Sequence, residues 1–293
     1  MVDFDKIWVE KYRPAKLDDI ILDERTLNIV REFKNEIPNL LFVGNPGTGK
    51  TTLARVIVND ILGCNYLYIN ASDESGIDTI RHNITNFAQT KSFDGGVKVV
   101  ILDEADGLTP QAQAALRNTM ETFAKYCRFI LTANYKHKII PALQSRCQAL
   151  DIKPVVELAV KRCYHILKKE NVKISDEQKI KFIQLVKRHF PDLRKAINEL
   201  QKNVIDSELC IANINSDNEL LETIYKKLAS SKSLEARKYL IENEDRFQGD
   251  YDTLLGNFLN FIYGSNVGDD KKKVIIATIA DHLYKSAFVV DKE

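Results

Sequence analysis

The sequence predicts an α/β fold with a parallel sheet, followed by two helical segments. Between residues 40 and 134, short β-rich runs alternate with helical runs, the order produced by parallel strands and crossover helices. From Pro154 onward the alternation stops, and apolar residues recur at the spacing of amphipathic helices. A polar stretch at 213–218, "NINSDN", is predicted to be a linker and precedes a last group of helical patterns.

The strands are predicted where apolar, β-branched and aromatic residues cluster. They are "LLFVG", "YLYINA", "VKVVILDE", "RFILTAN" and "ALDI". The helices between them are "TTLARVIVNDIL", "DTIRHNITNFAQ" and "PQAQAALRNTMETFA". Together they predict a five-stranded parallel sheet with flanking helices.

Three helices are predicted after the sheet. The first follows Pro154, a residue suited to a first helical turn. The second opens with a capping box at 175–178 and places Ile180, Ile183 and Val186 on one face. The third begins near "PDLRKAINELQ", and three or four more follow the polar stretch. The predicted domains are 1–153 with the sheet, 154–207 as an all-α lid, and 208–293 as an all-α C-terminal domain.

The composition argues against several classes of protein. Lys+Arg 42 nearly cancels Asp+Glu 41, so any contact with DNA must be local. The N-terminus carries charges where a secretory signal needs an apolar core, and no apolar run approaches a membrane-spanning length, which predicts an intracellular protein without membrane contact. The five cysteines are scattered without a CxxC, which predicts small buried residues rather than a zinc site or a disulfide framework.

A phosphate-binding loop is predicted at Gly44–Thr51, "GNPGTGKT", because this match to G-x-x-x-x-G-K-T follows a strand and precedes a helix. Its glycines allow backbone N–H groups to turn toward phosphates at a helix N-terminus. Lys50 would reach the β- and γ-phosphate oxygens, and the Thr51 hydroxyl would ligate Mg²⁺.

Two carboxylates, Asp103 and Glu104, end the apolar run of "KVVILDEAD", at the carboxyl end of a predicted strand where ligands of open α/β sheets bind. Asp103 is the candidate second ligand of Mg²⁺, and Glu104 is the candidate base that activates water. Paired with the phosphate loop, they predict a hydrolytic ATPase site with ATP and Mg²⁺ as cofactors.

Three polar positions leave alternatives open. Asn134 ends the strand "ILTAN" and would project into the same crevice, although a simple turn residue gives the same pattern. Arg194 lies in the first turn of a helix, where the dipole disfavours a cation unless a phosphate is near. Arg146 stands beside Cys147 in "SRC", and this pair is compatible with an activated cysteine thiol, a cysteine metal ligand or nothing beyond a surface charge.

In their order along the chain, these motifs resemble those of AAA+ ATPases, and more narrowly those of sliding-clamp-loader small subunits of the replication factor C type. The matching stretches are "WVEKYRP", "GNPGTGKT", "NASDESGID", "LDEAD", "AALRNTME", "TANYKHKIIPALQSRC" and "PDLRKAINELQ". The short connection in "NFAQTKSFDGGVKVVILDEAD" is most similar to the loader ATPase of T-even-type phages.

The resemblance implies individual roles. Asn134 and Arg194 would sense the γ-phosphate, and Arg117 would couple DNA occupancy to the catalytic centre. Arg146 would be an arginine finger for the neighbouring subunit's nucleotide, with Cys147 as a packing residue. The predicted nucleotide contacts are Val9, Tyr12, Arg13, Pro14, Gly44, Asn45, Pro46, Gly47, Thr48, Gly49, Lys50, Thr51, Thr52 and Arg194, and the predicted catalytic residues are Lys50, Asp103, Glu104, Asn134, Arg146 and Arg194.

The resemblance also implies partners: a sliding clamp, primer–template DNA and other loader subunits. These would form a pentameric spiral of several copies of this chain plus a different subunit, with 208–293 as the oligomerising collar. A replication-fork location follows, in the host cytoplasm for a phage protein. DNA contact is expected at helix N-termini, although a solvated helix face is the plainer interpretation. The candidate residues are Ser75, Gly76, Ile77, Arg81 and Thr109.

Two alternatives come from other functional classes. A structural subunit that only lends its arginine would usually have a degraded site, whereas Lys50, Asp103 and Glu104 are all present. Another AAA+ motor, such as a branch-migration helicase, is disfavoured by "SRC", by the lack of a pore-loop aromatic signature and by the C-terminal helices.

Overall fold

A computed structural model of the chain describes residues 7–72, 77–90, 97–211, 215–244, 247, 251–265 and 268–286. The chain divides into two compact units, Met1–Ile211 and Ala212–Glu293. The first unit contains both the sheet and the helices predicted as a lid. Across the described ranges, no helix is long and apolar enough to cross a membrane.

A parallel sheet forms the centre of the first unit, as predicted. Its five described strands are β1 (Leu40–Val43), β2 (Tyr66–Asn70), β3 (Lys98–Asp103), β4 (Cys127–Ala133) and β5 (Gln148–Asp151). Their order is β2-β3-β4-β1-β5, and every pair is parallel. The central strands β3 and β4 are buried on both faces, whereas β5 lies at an edge and is mostly exposed.

Helices cover both faces of this sheet. They are α1 (Trp8–Lys11), α2 (Glu24–Glu32), α3 (Lys50–Val56), α4 (Ile77–Gln89), α5 (Pro110–Thr122) and α6 (Pro141–Gln144), with a π-helical turn, Ile57–Ile61, extending α3. Because side chains alternate along a strand, β3 contributes Val99 and Ile101 to one core and Val100 and Leu102 to the other. The first core includes residues of α2 and α3, and the second includes residues of α4 and α5.

The segment predicted as a lid, 154–207, contains three helices and the first strand of a short hairpin, whose second strand follows directly after it. These are α7 (Val156–Lys169), α8 (Asp176–His189), α9 (Leu193–Lys202), β6 (Val204–Ile205) and β7 (Glu208–Leu209), of which the two strands pair antiparallel. Ser175 caps α8 as predicted, accepting a hydrogen bond from the backbone N of Gln178 at 3.3 Å. The hairpin was not predicted, because two-residue strands leave no periodic signal.

The predicted apolar face of α8 is wrong at two of its three positions. Val186 is buried, but Ile180 and Ile183 are 64% and 39% exposed. The helix instead buries Phe182 and Leu185 beside Val186. The predicted face and the buried face both have helical spacing, so spacing alone does not distinguish them. The buried face includes the ring of Phe182, which packs against Tyr164 at a centroid distance of 6.3 Å.

The second unit, taken by itself, is helical. Its described helices are α10 (Asn215–Ala229), α11 (Ser233–Glu242), α12 (Tyr251–Gly264) and α13 (Asp269–Ser286). Leu220, Leu221 and Ile224 of α10 pack with Leu254 of α12 in a small core. Residues 215–218 belong to α10, so the predicted polar linker is wrong over that part.

The five cysteines are free thiols, of which Cys127 and Cys163 are buried and Cys64 and Cys147 are half-buried. Cys210 is exposed, contrary to the prediction that each cysteine is buried. It lies between the buried residues Leu209 and Ile211, so an extended backbone directs it to the opposite, solvent-facing side.

Candidate active site

A cavity of about 380 Å³ opens at the carboxyl ends of β1, β3 and β4. Of the predicted residues, it is lined by Val9, Tyr12, Arg13, Pro14, Pro46, Gly47, Thr48, Gly49, Lys50, Thr51, Thr52, Asp103, Glu104, Asn134 and Arg194. The lining residues that were not predicted are Ile20, Ile21, Arg55, Tyr68, Thr132, Arg162, Leu193 and Ile197. Thus four separate parts of the chain converge: the N-terminal segment, the phosphate loop, the strand ends and the lid.

The loop between β1 and α3 holds a buried lysine. Gly47 and Gly49 have φ values of +75° and +92°, which glycine adopts without the steric penalty of a side chain. Lys50 donates to the backbone oxygens of Gly44 and Asn45 at 2.8 and 2.9 Å and to Asn134 Oδ1 at 2.8 Å. Gly44 and Asn45 therefore support Lys50 and are not among the lining residues.

Burial lowers the pKa of the Lys50 ammonium, because desolvation disfavours its charged form. Asp103 and Asp106 oppose this shift, while Arg194 adds to it. The cation is thus held at a desolvated position where its hydrogen-bond acceptors are neutral oxygens. A polyanion entering the cavity would supply the negative charge that these neutral acceptors lack.

Asp103 is a buried carboxylate that accepts its hydrogen bonds from hydroxyl groups. Thr51 Oγ1 lies 2.8 and 2.9 Å from its two carboxylate oxygens. Thr132 Oγ1 donates at 2.6 Å and Tyr68 Oη at 2.8 Å. Burial, reinforced by this bond to Asp103, raises the pKa of Tyr68 to about 12. Within the described ranges no Lys or Arg forms an ion pair with Asp103, and its carboxylate lines the cavity.

Glu104 begins a 3₁₀ turn directly after β3. Its φ of +55° lies in the left-handed region, which is costly for a residue with a side chain. Its backbone N donates to Thr132 Oγ1 at 3.0 Å, and its exposed side chain borders the cavity. Asp106, in the same turn, accepts from the backbone N of Asn134 and of Tyr135, both at 3.1 Å. This turn therefore fixes Asn134 beside Lys50.

The N-terminal segment is fastened to the lid. The backbone N of Trp8 donates to Gln201 Oε1 at 3.0 Å, and Tyr12 Oη donates to Glu170 Oε1 at 2.5 Å. Arg162 Nη2 donates to the backbone oxygen of Tyr12 at 3.1 Å. The far wall of the cavity is thus a composite of the N-terminal segment and lid helices. Arg13, which also lines this wall, forms an ion pair with Glu10 at 2.7 Å.

The lid also contacts the phosphate loop. The backbone N of Leu193 donates to the backbone oxygen of Gly47 at 3.2 Å. Asp192 caps α9 and accepts from the backbone N of Arg194 and of Lys195, both at 3.1 Å. Arg194, in the first turn, lines the cavity. Arg194 and the phosphate loop therefore line the same cavity, and the predicted role of Arg194 toward the γ-phosphate stays a prediction.

Arg146 lies away from this cavity, immediately before the edge strand β5. Its Nε donates to Glu121 Oε1 at 2.7 Å, Nη2 donates to the same oxygen, and Nη1 donates to the backbone oxygen of Ala142 at 2.8 Å. Cys147 packs against the core, and burial raises its pKa to about 12, which opposes an activated thiol.

The residues predicted for DNA are only partly described. Ser75 and Gly76 lie outside the described residues, and the side chains of Ile77 and Arg81, in α4, do as well. Thr109 is exposed and caps α5, accepting from the backbone N of Ala112 at 3.2 Å. Arg117, in the same helix, donates to Asn118 Oδ1 at 2.8 Å and does not line the cavity.

Two family descriptions match adjoining parts of the chain. Residues 40–154 match the ATPase family associated with various cellular activities, AAA. Residues 151–209 match the AAA+ ATPase lid domain of the sliding-clamp-loader large subunit. The second match begins where the sheet ends.

Curated relatives extend the similarity over most of the chain. The replication factor C small subunit of Archaeoglobus fulgidus is 42% identical over 235 residues, covering 78% of this chain and 70% of that protein. That of Methanococcus vannielii is 40% identical, covering 81% and 74%. Replication factor C subunit 3 of Blastobotrys adeninivorans is 40% identical, covering 80% and 69%.

Among solved structures, the Thermotoga maritima RuvB Holliday junction branch migration motor has a TM-score of 0.56. It is 19% identical, and the alignment covers 92% of this chain and 85% of that one. A point mutant of the same RuvB protein aligns with a TM-score of 0.56 at 18% identity, covering 92% and 86%. These likenesses establish the shared fold.

Proposed function

The chain belongs to the replication factor C small-subunit family of AAA+ ATPases, and from that membership we propose how its site residues work. It is a nucleotide-binding, ATP-hydrolysing subunit of a sliding-clamp loader, and acts in a multi-subunit complex on a clamp and DNA. One observation carries the proposal. Lys50 and Asp103 are both buried and line the same cavity, and they form no ion pair with each other.

The phosphates bind between the loop and the lid. Lys50 contacts the β- and γ-phosphate oxygens, where its burial makes a charge-assisted hydrogen bond strong. Arg194 approaches the γ-phosphate from α9 and Asn134 from the end of β4. Both lie at the wall of the same cavity, and Asn134 already bonds Lys50.

Thr51 and Asp103 would hold Mg²⁺. The donor set fits this ion, because hydroxyl and carboxylate oxygens are the ligands Mg²⁺ prefers. When bound, Mg²⁺ neutralises charge on the phosphate oxygens. Thr132 and Tyr68 keep the carboxylate in place through their hydroxyl hydrogen bonds.

Glu104 accepts a proton from the attacking water or orients it, since its carboxylate borders the cavity next to Asp103. The left-handed backbone at Glu104 turns the chain sharply after β3. The carboxylates of Asp103 and Glu104 can therefore serve different roles, one toward Mg²⁺ and one toward water.

The adenine base binds at the far wall of the cavity. The wall residues from the N-terminal segment that would contact it are Val9, Tyr12, Arg13 and Pro14. Their support is the set of hydrogen bonds that joins this segment to the lid.

Arg146 completes the site of a neighbouring subunit. In its own subunit it does not line the cavity, and it lies beside an edge strand. An arginine supplied in trans raises phosphoryl-transfer rates by ~10³-fold or more in comparable enzymes. The proposed assembly is a pentameric spiral of several copies of this chain and one different subunit, working inside the cell at the replication fork.

Primer–template DNA binds on the inside of that spiral. The proposed contacts are Ser75, Gly76, Ile77, Arg81 and Thr109. Arg117 couples DNA occupancy to the Glu104 turn through α5, the helix that follows this turn.

Two alternatives are not favoured. A non-hydrolysing structural subunit does not need Lys50, Asp103 and Glu104, all of which line this cavity. A branch-migration motor fits the fold, but the curated similarity is to clamp-loader subunits.

The test is ATP turnover by the assembled loader with and without clamp and primer–template DNA. We expect both to stimulate turnover, and Glu104→Gln to abolish stimulated turnover while ATP still binds. Arg146→Ala should leave ATP binding by its own subunit intact and remove stimulated hydrolysis. A turnover rate indifferent to clamp and DNA, or a monomer as fast as the assembly, would contradict the proposal.

A further inference from the structure

The Arg146 guanidinium is held in one orientation by its own subunit. Three of its five N–H donors are used: Nε and Nη2 donate to the single oxygen Glu121 Oε1, and Nη1 donates to the Ala142 backbone oxygen. Among the described residues, the other two N–H groups, one on each terminal nitrogen, have no partner. The planar group is therefore fixed along one edge and free along the outer edge.

The residue that fixes it is rigidly placed. Glu121 lies in the last turn of α5, next to Met120, which is 1% exposed, and after Leu116, which is 3% exposed. The helix starts at Pro110, shortly after the turn that contains Asp106, and carries Glu121 in its last turn. Because α5 packs against the core, the backbone position from which the Glu121 side chain projects is well fixed.

The ion pair itself does little for the fold. The side chains of Arg146 and Glu121 are 36% and 49% exposed, and exposed pairs contribute little to stability because water and salt screen them. What the pair does is hold the guanidinium in one place, which is the support that a functional side chain needs from its neighbours.

We propose that Glu121 is the positioning residue of the arginine finger. It orients Arg146 so that the two free N–H groups on Nη1 and Nη2 meet the γ-phosphate of the neighbouring subunit. The proposal rests on the proposed trans role of Arg146. Because a small misplacement of a catalytic group costs up to about 100-fold in rate, losing Glu121 should slow turnover without weakening ATP binding.

The experiment uses the fully assembled loader with clamp and primer–template DNA, and measures kcat and KM for ATP. Glu121→Ala should lower kcat by about 10- to 100-fold with KM unchanged. Glu121→Gln, which keeps one acceptor oxygen without the charge, should lower kcat less. Glu177→Ala is the matched control, because Glu177 is an exposed carboxylate that also pairs with a cation, Lys181 in α8, and it should leave kcat unchanged.

A double-mutant cycle separates positioning from a direct effect. On an Arg146→Ala background, Glu121→Ala should cause no further loss, since it acts only through Arg146. Thermal unfolding of Glu121→Gln should stay within about 2 °C of the wild type, which excludes a general structural defect.

The other possible results contradict either the positioning role of Glu121 or the finger role of Arg146. If Arg146→Ala abolishes stimulated turnover and Glu121→Ala leaves it intact, the positioning role is wrong while the finger stands. The same conclusion follows if Glu121→Ala slows the Arg146→Ala loader as much as it slows the wild type. If Arg146→Ala keeps the full stimulated rate, the trans finger itself is wrong.

Discussion

At the scale of single residues, Asp103 explains how a hydrolytic site can be assembled before its ligands arrive. A buried carboxylate is usually paired with Lys or Arg, and the resulting neutral pair has little remaining attraction for a metal ion. Here three hydroxyl groups solvate the carboxylate instead. The hydrogen bonds offset part of the desolvation cost while leaving the negative charge uncancelled.

Tyr68→Phe tests this arrangement. Removing one hydroxyl donor to a charged acceptor should lower the free energy of unfolding by about 1–2 kcal/mol. The measurement is urea unfolding of the nucleotide-free chain. Tyr66→Phe is the control, because Tyr66 lies on the same strand and is also half-buried, and no hydrogen bond from its hydroxyl to the described residues is seen. Equal losses in both variants would contradict a special role for the Tyr68 hydroxyl.

Lys50 gives a pH-dependent prediction. Its pKa is lowered in the folded state, so between the folded and unfolded pKa values the unfolded chain binds more protons. Stability therefore rises with pH through that window, which ends near 10.5, the usual value for lysine. The unfolding temperature of the wild type relative to Lys50→Met should increase with pH through this window, measured without nucleotide. Parallel curves for the two proteins would contradict the shift.

At the scale of elements, the phosphate loop packs directly against the N-terminus of α9. A Cβ added to Gly47 would lie 1.8 Å from Asp192 Oδ1, the atom that caps α9. A Cβ on Gly49 would meet nothing within 4 Å. The two glycines therefore serve different purposes, although both have positive φ.

Alanine at each position separates backbone conformation from contact with the lid. Gly49→Ala should cost about 1–2 kcal/mol, the penalty of a left-handed residue with a side chain. Gly47→Ala should cost an additional ~1–3 kcal/mol, because its Cβ displaces the cap of α9. Urea unfolding of both variants measures the difference. Equal losses would mean that the contact between loop and lid contributes nothing.

Most elements of the sheet could be predicted because each has a strong local signal. The phosphate loop, its strand and Asp103 follow from patterns within a few residues. The face of α8 could not be chosen, since two overlapping apolar stripes, one with Ile180 and one with Phe182, both fit a helix. Likewise, Tyr68 and Arg162 reach the cavity only through strand pairing and lid packing, which leave no mark in the nearby sequence.

At the scale of the whole molecule, the cavity is confined to the first unit, while its walls come from residues 9 to 197. Such a site could be predicted piece by piece but not as an enclosure, because its closure depends on contacts between distant segments. The sequence signals for the phosphate loop are strong, and those for the N-terminal wall, where we propose that adenine binds, came only from family resemblance.

Nucleotide binding should therefore stabilise the first unit as a whole. In the isolated chain, a non-hydrolysable ATP analogue at about 100 times its Kd should add about 2.7 kcal/mol to the unfolding free energy of that unit. Hydrogen exchange should slow at the phosphate loop, α1 and α9 together, and remain unchanged in α10–α13. Lys50→Ala is the control that should show no protection. Protection limited to the phosphate loop would contradict a closed, composite site.

The hydrogen bond from the Trp8 backbone N to Gln201 Oε1 joins residues 193 positions apart, which has a consequence for biosynthesis. At ordinary translation speeds, Gln201 is added roughly 10 to 40 s after Trp8. For most of that interval, from residue 51 onward, the nascent chain carries its complete phosphate loop but lacks the whole of α9, which contributes to the cavity wall. The composite cavity can therefore close only late in synthesis, once residue 201 has been added.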